Sequence, residues 1–204
     1  LALGGPSLAA ADLDISGVDG ELERNVRAFV SLDDEPCDAE ERLLRRRYRA
    51  LEKQAREALE PLGYYEPIIS SALATGGDCW QATLEIDPGE PVRYRSVDVV
   101  ISGEAATDAA FAALPQRRAL QTGQVLRHAD YDALKRQLQT LAADRGYLAA
   151  EFVESRLEVW PGEHAADVTL KFESGSRYSF GEIEIVQSFL DPEVARGYID
   201  IEPG

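Results

Sequence analysis

The chain has no apolar run near the roughly 18 residues that a membrane-spanning helix requires. It is also poor in groups that perform covalent or metal chemistry. Its two histidines, His128 and His164, and two cysteines, Cys37 and Cys79, lack the paired spacing of a metal site and any neighbouring serine or carboxylate at a spacing diagnostic of nucleophilic catalysis. Cations are scarce as well: 21 Lys and Arg stand against 37 Asp and Glu, a formal net charge of -16. An excess of that sign repels polyphosphate and argues against general nucleic-acid affinity. Gly17-x-x-Gly20, which in an RNA-gripping KH domain would join two helices, here precedes the first helical pattern and reads as a turn. Adjacent acids such as Asp33-Asp34 and Glu40-Glu41 read as solvated loop charge. No enzyme activity, metal or cofactor is expected.

What is present is a repeat. At an offset of 86, Ile15-Ser16-Gly17 falls on Ile101-Ser102-Gly103, and Gly89 on Gly175; at 83, Gly63-Tyr64 falls on Gly146-Tyr147. Self-similarity on this scale marks an array of like modules and points away from a single catalytic cleft.

The first module opens with a short alternating strand at Leu13 and Ile15, ended by Gly17 and Gly20. A first helix follows on Leu22, Val26, Phe29 and Val30, with Glu21 and Glu23 at its positive end. The second helix carries Leu44, Tyr48, Leu51, Ala55, Leu59 and Leu62 as one stripe, with Asp38 as expected cap, Pro61 tightening the last turn and Gly63 ending it. Ile68 to Leu73 and Trp80 to Ile86 then form a hairpin across Gly76-Gly77-Asp78. With alternating directions, the last strand runs parallel to the first, a right-handed crossover lays both helices on one sheet face, and Ile68 to Leu73 lies at an edge.

The second module repeats this order. Val92 to Ile101 is its strand, Asp108 to Leu114 a short helix, Tyr131 to Leu141 a long helix ended by Gly146, and Phe152 to Val159 with Ala165 to Phe172 a hairpin. A further strand pattern, Tyr178 to Val186, and a helical one, Pro192 to Tyr198, begin a third unit. The expected organisation is therefore residues 1–11 as a signal-peptide remnant or tail ending Ala9-x-Ala11, 12–90 and 91–175 as modules, and 176–204 as the incomplete start of another. The fold class is α+β: tandem β-α-α-β-β modules, each a three-stranded mixed sheet covered on one face by two helices.

In this order and spacing, Gly20-Glu-Leu-Glu-Arg-Asn-Val-Arg27, Ala58-Leu-Glu-Pro-Leu-Gly-Tyr-Tyr-Glu-Pro67, Pro88-Gly89-x-Pro91-Val92 and Ser174-Gly175-x-Arg177-Tyr178-x-Phe180-Gly181 resemble the POTRA domains of the Omp85 outer-membrane assembly proteins. The resemblance covers nearly everything after residue 12. It implies periplasmic modules that precede a membrane β-barrel, and a role in inserting or exporting outer-membrane proteins and autotransporters with an inner-membrane-anchored partner. The membrane would then be met only through a barrel outside this sequence.

Three groups of residues are candidates for binding or stability. Strand edges able to pair with extended polypeptide are Ile68, Ile69, Ser71 and Leu73 in the first module, and Phe152, Val153, Arg156 and Val159 in the second. Arg45, Arg46, Arg49 and Lys53 form a docking patch for an acidic partner, or else a solvated helix face. Cys37 and Cys79 fall at links on one end of the first module, where a bridge closing 42 residues and two free thiols both fit the sequence. Against the scaffold function stand a two-partner-secretion or division-protein module of the same fold, and a passive spacer.

Overall fold

The computed structural model describes residues 12–114 and 120–179, together with Gly181 and Val194. Residues 1–11 and the helix expected at Pro192–Tyr198, apart from Val194, lie outside the described residues, as does most of the strand expected at Tyr178–Val186.

In β1 (Asp12–Ser16) exposure alternates, so Leu13 and Ile15 point inward. α1 (Gly20–Phe29) has Glu21 and Glu23 in its first turn and Arg27 in its last, the charge order that a helix dipole favours. α2 (Glu41–Leu59) buries Leu44, Leu51, Ala55, Ala58 and Leu59 as a single stripe. The expected cap does not form. The first residues after Cys37 are held in a turn by the bond from the Ala39 N–H to the Pro36 carbonyl, so Glu40 is the capping residue and Asp38 lies outside the helix. At the other end Pro61 converts the last turn to a 3-10 turn (Glu60–Leu62), and Gly63 leaves it at φ 96°, a left-handed conformation suited to glycine.

β2 (Ile68–Ala74) and β3 (Gln81–Asp87) complete a sheet of order β1-β3-β2. β1 runs parallel to β3, with Leu13 opposite Ala82 and Ile15 opposite Leu84; β2 runs antiparallel, with Ile69 opposite Ile86. The alternation therefore brings the apolar positions of all three strands to the face on which α1 and α2 lie, and one core results. Trp80 closes its end, its indole N–H donating to the Pro36 carbonyl at 3.0 Å. The opposite face carries Asp12, Asp14, Glu85 and Asp87 and is not roofed by either helix.

A second mixed sheet, of order β4-β6-β5, comes from β4 (Arg93–Ser102), β5 (Glu151–Trp160) and β6 (Ala165–Glu173). Its helices are α3 (Ala109–Ala112) and α4 (His128–Asp144). α3 is shorter than the expected Asp108–Leu114; the Asp108 side chain caps it by accepting from the Ala110 N–H at 3.0 Å, and a 3-10 turn (Glu104–Thr107) precedes it. By internal packing the chain forms two compact units, one holding the described residues to Val97 with 120–132 and 157–168, the other 98–114, 133–156 and 169–179. The second unit is centred on aromatic contacts: Phe111 meets Tyr147 edge-on at 5.6 Å, and Phe172 meets Phe152 at 5.0 Å. Gly146, at φ 83°, could not accept a Cβ, which would fall 2.5 Å from the Tyr178 carbonyl oxygen.

Candidate binding edges and helix face

Strand β2 occupies an outer position in its sheet, so it presents backbone groups that no other strand pairs. Ile68 is 73% exposed at its start, beside an open depression of about 450 Å³ lined by Gly17, Ser70, Glu85 and Asp87. Ile69 and Leu73 are partly buried against the core, so along β2 they offer backbone and not side chain to the outside. Ser71 is engaged: its carbonyl accepts from the Tyr48 hydroxyl at 2.9 Å, and its hydroxyl donates to Glu52 at 2.7 Å. Just before the strand, the Arg56 guanidinium donates to the Pro67 carbonyl at 2.8 Å. Sequence pattern located the edge, but it could not show that side chains of α2 already hold the Ser71 carbonyl and that of Pro67 just before the strand.

β5 is likewise an outer strand. Phe152 turns toward the Phe172 ring and lies under the Lys135 ammonium, which is 5.3 Å from the ring centre. Val153 is 68% exposed, Arg156 pairs with Glu154, and Val159 is half-buried. Glu154 also pairs with Lys171 at 2.7 Å, and these cations hold its carboxyl below the usual range. β4 is protected where it begins, since Tyr94 exchanges backbone bonds with Gly123 and Gln124 at 2.8 and 2.9 Å.

Along α2 the candidate cations divide into two groups. Arg45 pairs with Glu41 at 2.5 Å and Lys53 with Glu57 at 3.3 Å, each one turn apart on the helix. Arg46 and Arg49 instead line an open groove of about 510 Å³ with Arg42, Leu43 and Glu40. Of the candidates Arg45, Arg46, Arg49 and Lys53, two thus have intrahelical partners and two line the groove beside Arg42.

Cys37 and Cys79 are joined by a disulfide, with 4.7 Å between Cα atoms and 42 residues enclosed. The bond ties the link between α1 and α2 to the hairpin between β2 and β3.

His128 is the first residue of α4, which starts three residues before Tyr131, where the apolar stripe begins. Its Nε2 is 2.5 Å from the Tyr65 hydroxyl. Next to it Arg127 forks onto Glu21 at 2.7 and 2.8 Å, and its carbonyl accepts from the Tyr94 hydroxyl at 3.2 Å. The Arg127 hydrogen bond holds the Glu21 carboxyl below its usual value. Burial pushes the Tyr65 and Tyr94 phenols up to about 12, helped at Tyr65 by Glu60. These bonds clasp Glu21 of α1 and Tyr65 to the start of α4. Nothing in the sequence paired residues 106 apart. His164 lies in the hairpin between β5 and β6 at φ 47°. No cluster of three or more potential metal ligands occurs among the described residues, and no helix there is long and apolar enough to cross a membrane.

One sheet of order β1-β3-β2, with β1 parallel to the middle strand and two helices on a single face, is the arrangement expected of the first module from the sequence. Residues 12–88 match the family model described as POTRA domain TamA domain 1, so this stretch is similar to the TamA-like POTRA domains of Omp85 proteins. Among solved structures the chain is similar to Haemophilus influenzae BamA POTRA3-5, at 15% identity over 98% of this chain and 82% of that one, with a TM-score of 0.47. It is also similar to POTRA1-3 of the periplasmic domain of Omp85 from Anabaena, at 16% identity over 95% and 76%, with a TM-score of 0.38. For the N-terminal domain of Omp85 from Thermosynechococcus elongatus the values are 18%, 98% and 80%, and 0.39.

Proposed function

We propose that this chain is a periplasmic polypeptide-binding scaffold of an outer-membrane protein assembly and autotransporter secretion machine, docking a TamB-like partner and pairing with client strands. The observation that carries the reading is the match of residues 12–88 to the TamA POTRA domain model, together with the outer position of β2, whose free edge no other strand of its sheet pairs. Backbone pairing suits such a task because N–H and C=O groups recur in every client, whatever its side chains. The proposed contacts are Ile68, Ile69, Ser71 and Leu73, with Phe152, Val153, Arg156 and Val159 as the corresponding edge on β5. Domain boundaries follow the repeat, at 12–90 and 91–175.

The test places a photoreactive residue at Ile68 in the full-length protein in cells. Crosslinks to envelope proteins are expected, and Ser71→Pro, which removes an edge donor, abolishes them while circular dichroism and the disulfide are retained. Should the proline variant fail to fold, Ser70→Lys with Ala72→Lys adds charge at two exposed positions instead. Crosslinks that survive in a folded variant refute pairing at β2. A second reading, a passive spacer, draws on the Tyr48 and Arg56 bonds that already occupy edge carbonyls. It predicts that exchange of residues 12–90 for an unrelated domain of equal length preserves activity.

A further inference from the structure

We propose that the outer face of α2 is a docking surface for an acidic polypeptide segment, centred on Arg42, Arg46 and Arg49. It rests on the scaffold reading only in that the ligand is polypeptide, and it does not require strand pairing at β2.

Four observations carry it. First, the three arginines lie at steps of 4 and 3 along one helix, so they share a face, and all are exposed. Second, they line one open groove with Leu43. Third, the other cations of the helix have partners: Arg45 on Glu41, Arg47 on Glu35 at 2.8 Å, Lys53 on Glu57 and Arg56 on the Pro67 carbonyl. Arg42, Arg46 and Arg49 make no ion pair or hydrogen bond among the described residues, although acids outnumber bases by 37 to 21. Fourth, Arg42 stands in the first turn of α2, at the positive end of the helix dipole, where a cation is unfavourable. Helix stability therefore does not account for the arrangement, whereas an anionic ligand offsets it.

Guanidinium groups present planar forks that match carboxylates in two-point contact. With a rise of about 1.5 Å per residue, adjacent arginines of the stripe are spaced by about 6 and about 4.5 Å along the axis. Alternate residues of an extended chain are about 6.6 Å apart, so an extended segment with acids at every second position can meet the stripe. One apolar side chain of that segment covers Leu43. Charge also favours a peptide over an anionic bilayer. A bilayer is a broad negative surface that would face a wide area of a chain of net charge -16, whereas a single segment meets only the groove, where three arginines stand against Glu40.

The probe is a fluorescently labelled dodecapeptide with glutamate at alternate positions, alanine between and one central leucine. Its anisotropy is measured with the whole chain at low and at physiological salt. Binding is expected, weakened by salt, and weakened about tenfold or more by Arg46→Glu with Arg49→Glu. The same reversal at Arg24 and Arg136, exposed on other helices, is expected to cost less than about threefold. The glutamine counterpart of the peptide is expected to bind about tenfold more weakly or not at all. Circular dichroism and urea midpoints confirm folding, and Arg42→Gln, Arg46→Gln, Arg49→Gln gives a second variant without new repulsion. The proposal is overturned by absence of binding to the unaltered chain, by equal binding to the glutamine peptide, or by equal losses at the control arginines. It is overturned equally if phosphatidylglycerol vesicles bind through these arginines and the peptide does not. Ser71→Pro separates the two sites, because failure of strand pairing leaves peptide affinity unchanged.

Discussion

Removal of the Cys37–Cys79 cross-link tests most directly how this small unit holds together. The bridge encloses 42 residues, from the link before α2 through all of α2 and β2. Chain-entropy estimates for a loop of that length give about 4 kcal/mol of stabilisation, by restricting the unfolded chain. For a unit of this size, 1 kcal/mol moves the melting temperature by about 4 to 8 °C, so the loss amounts to about 20 °C. The comparison is between oxidised chain, reduced chain and the Cys37→Ala, Cys79→Ala variant, followed by thermal and urea unfolding. Reduced chain and variant are expected to agree within about 1 kcal/mol, since only the partly buried thiols distinguish them. Both should fall about 4 kcal/mol below the oxidised chain. A loss under about 1 kcal/mol on reduction would refute the entropic account. Two reactive thiols in the unfolded, unreduced protein would refute the bridge itself.

Two further outcomes follow from the packing around Gly63 and Arg127. Gly63→Ala puts a methyl 2.6 Å from the Leu126 carbonyl oxygen and 3.0 Å from a Val125 methyl, at φ 96°, and should cost about 3 kcal/mol in urea unfolding. Gly76→Ala, in open space, should stay within about 0.5 kcal/mol, and equal effects at the two glycines would sink the steric argument. Glu21→Gln removes a half-exposed ion pair and should cost about 0.5 kcal/mol at neutral pH. Because Arg127 holds the folded carboxyl below its usual value of 4.5, that stability is present above pH 4.5 and is lost as pH falls through the lower folded value. Parallel stability profiles for variant and unaltered chain across this acid range would contradict the pairing.

Much of the fold was legible because local and tertiary preferences agree. The stripe of α2 spans nearly five turns, and Gly63 is a residue for which the left-handed cap is easy, so the helix end was fixed by sequence. The alternation in β1 and β3 told which side faces the core before any partner was known. The start of α2 was not legible, since Asp38 is a good cap residue by type but a turn and a disulfide from Cys37 govern that segment. The clasp of Arg127 on Glu21 and Tyr65 on His128 was hidden for another reason. It joins side chains far apart in the chain whose periodicities carry no mutual signal. At the candidate sites, the edge position of β2 came from topology, while the division of the α2 arginines into paired and unpaired depends on rotamers.

That division bears on how weak and strong contacts would share the work of a scaffold. A client strand laid along β2 meets the Ser71 carbonyl already bonded to Tyr48 and the Pro67 carbonyl already bonded to Arg56. Exchanging one such bond for another is nearly neutral, because each contributes only about 0.5 to 1.5 kcal/mol net. Gain at the edge must then come from the remaining backbone groups of Ile69 and Leu73 and from cover over exposed Ile68, which makes it modest and sequence-tolerant. Arg27 acts similarly at the other edge, reaching the Leu13 carbonyl at 3.3 Å. Such guarding limits pairing between copies of the chain, which open edges otherwise invite. Discrimination among partners then falls to a surface that reads side chains, and on this unit the arginine groove of α2 is suited to that. Two modest contacts on one rigid module reinforce each other when a single polypeptide can reach both, so loss of either should weaken capture by more than its own share.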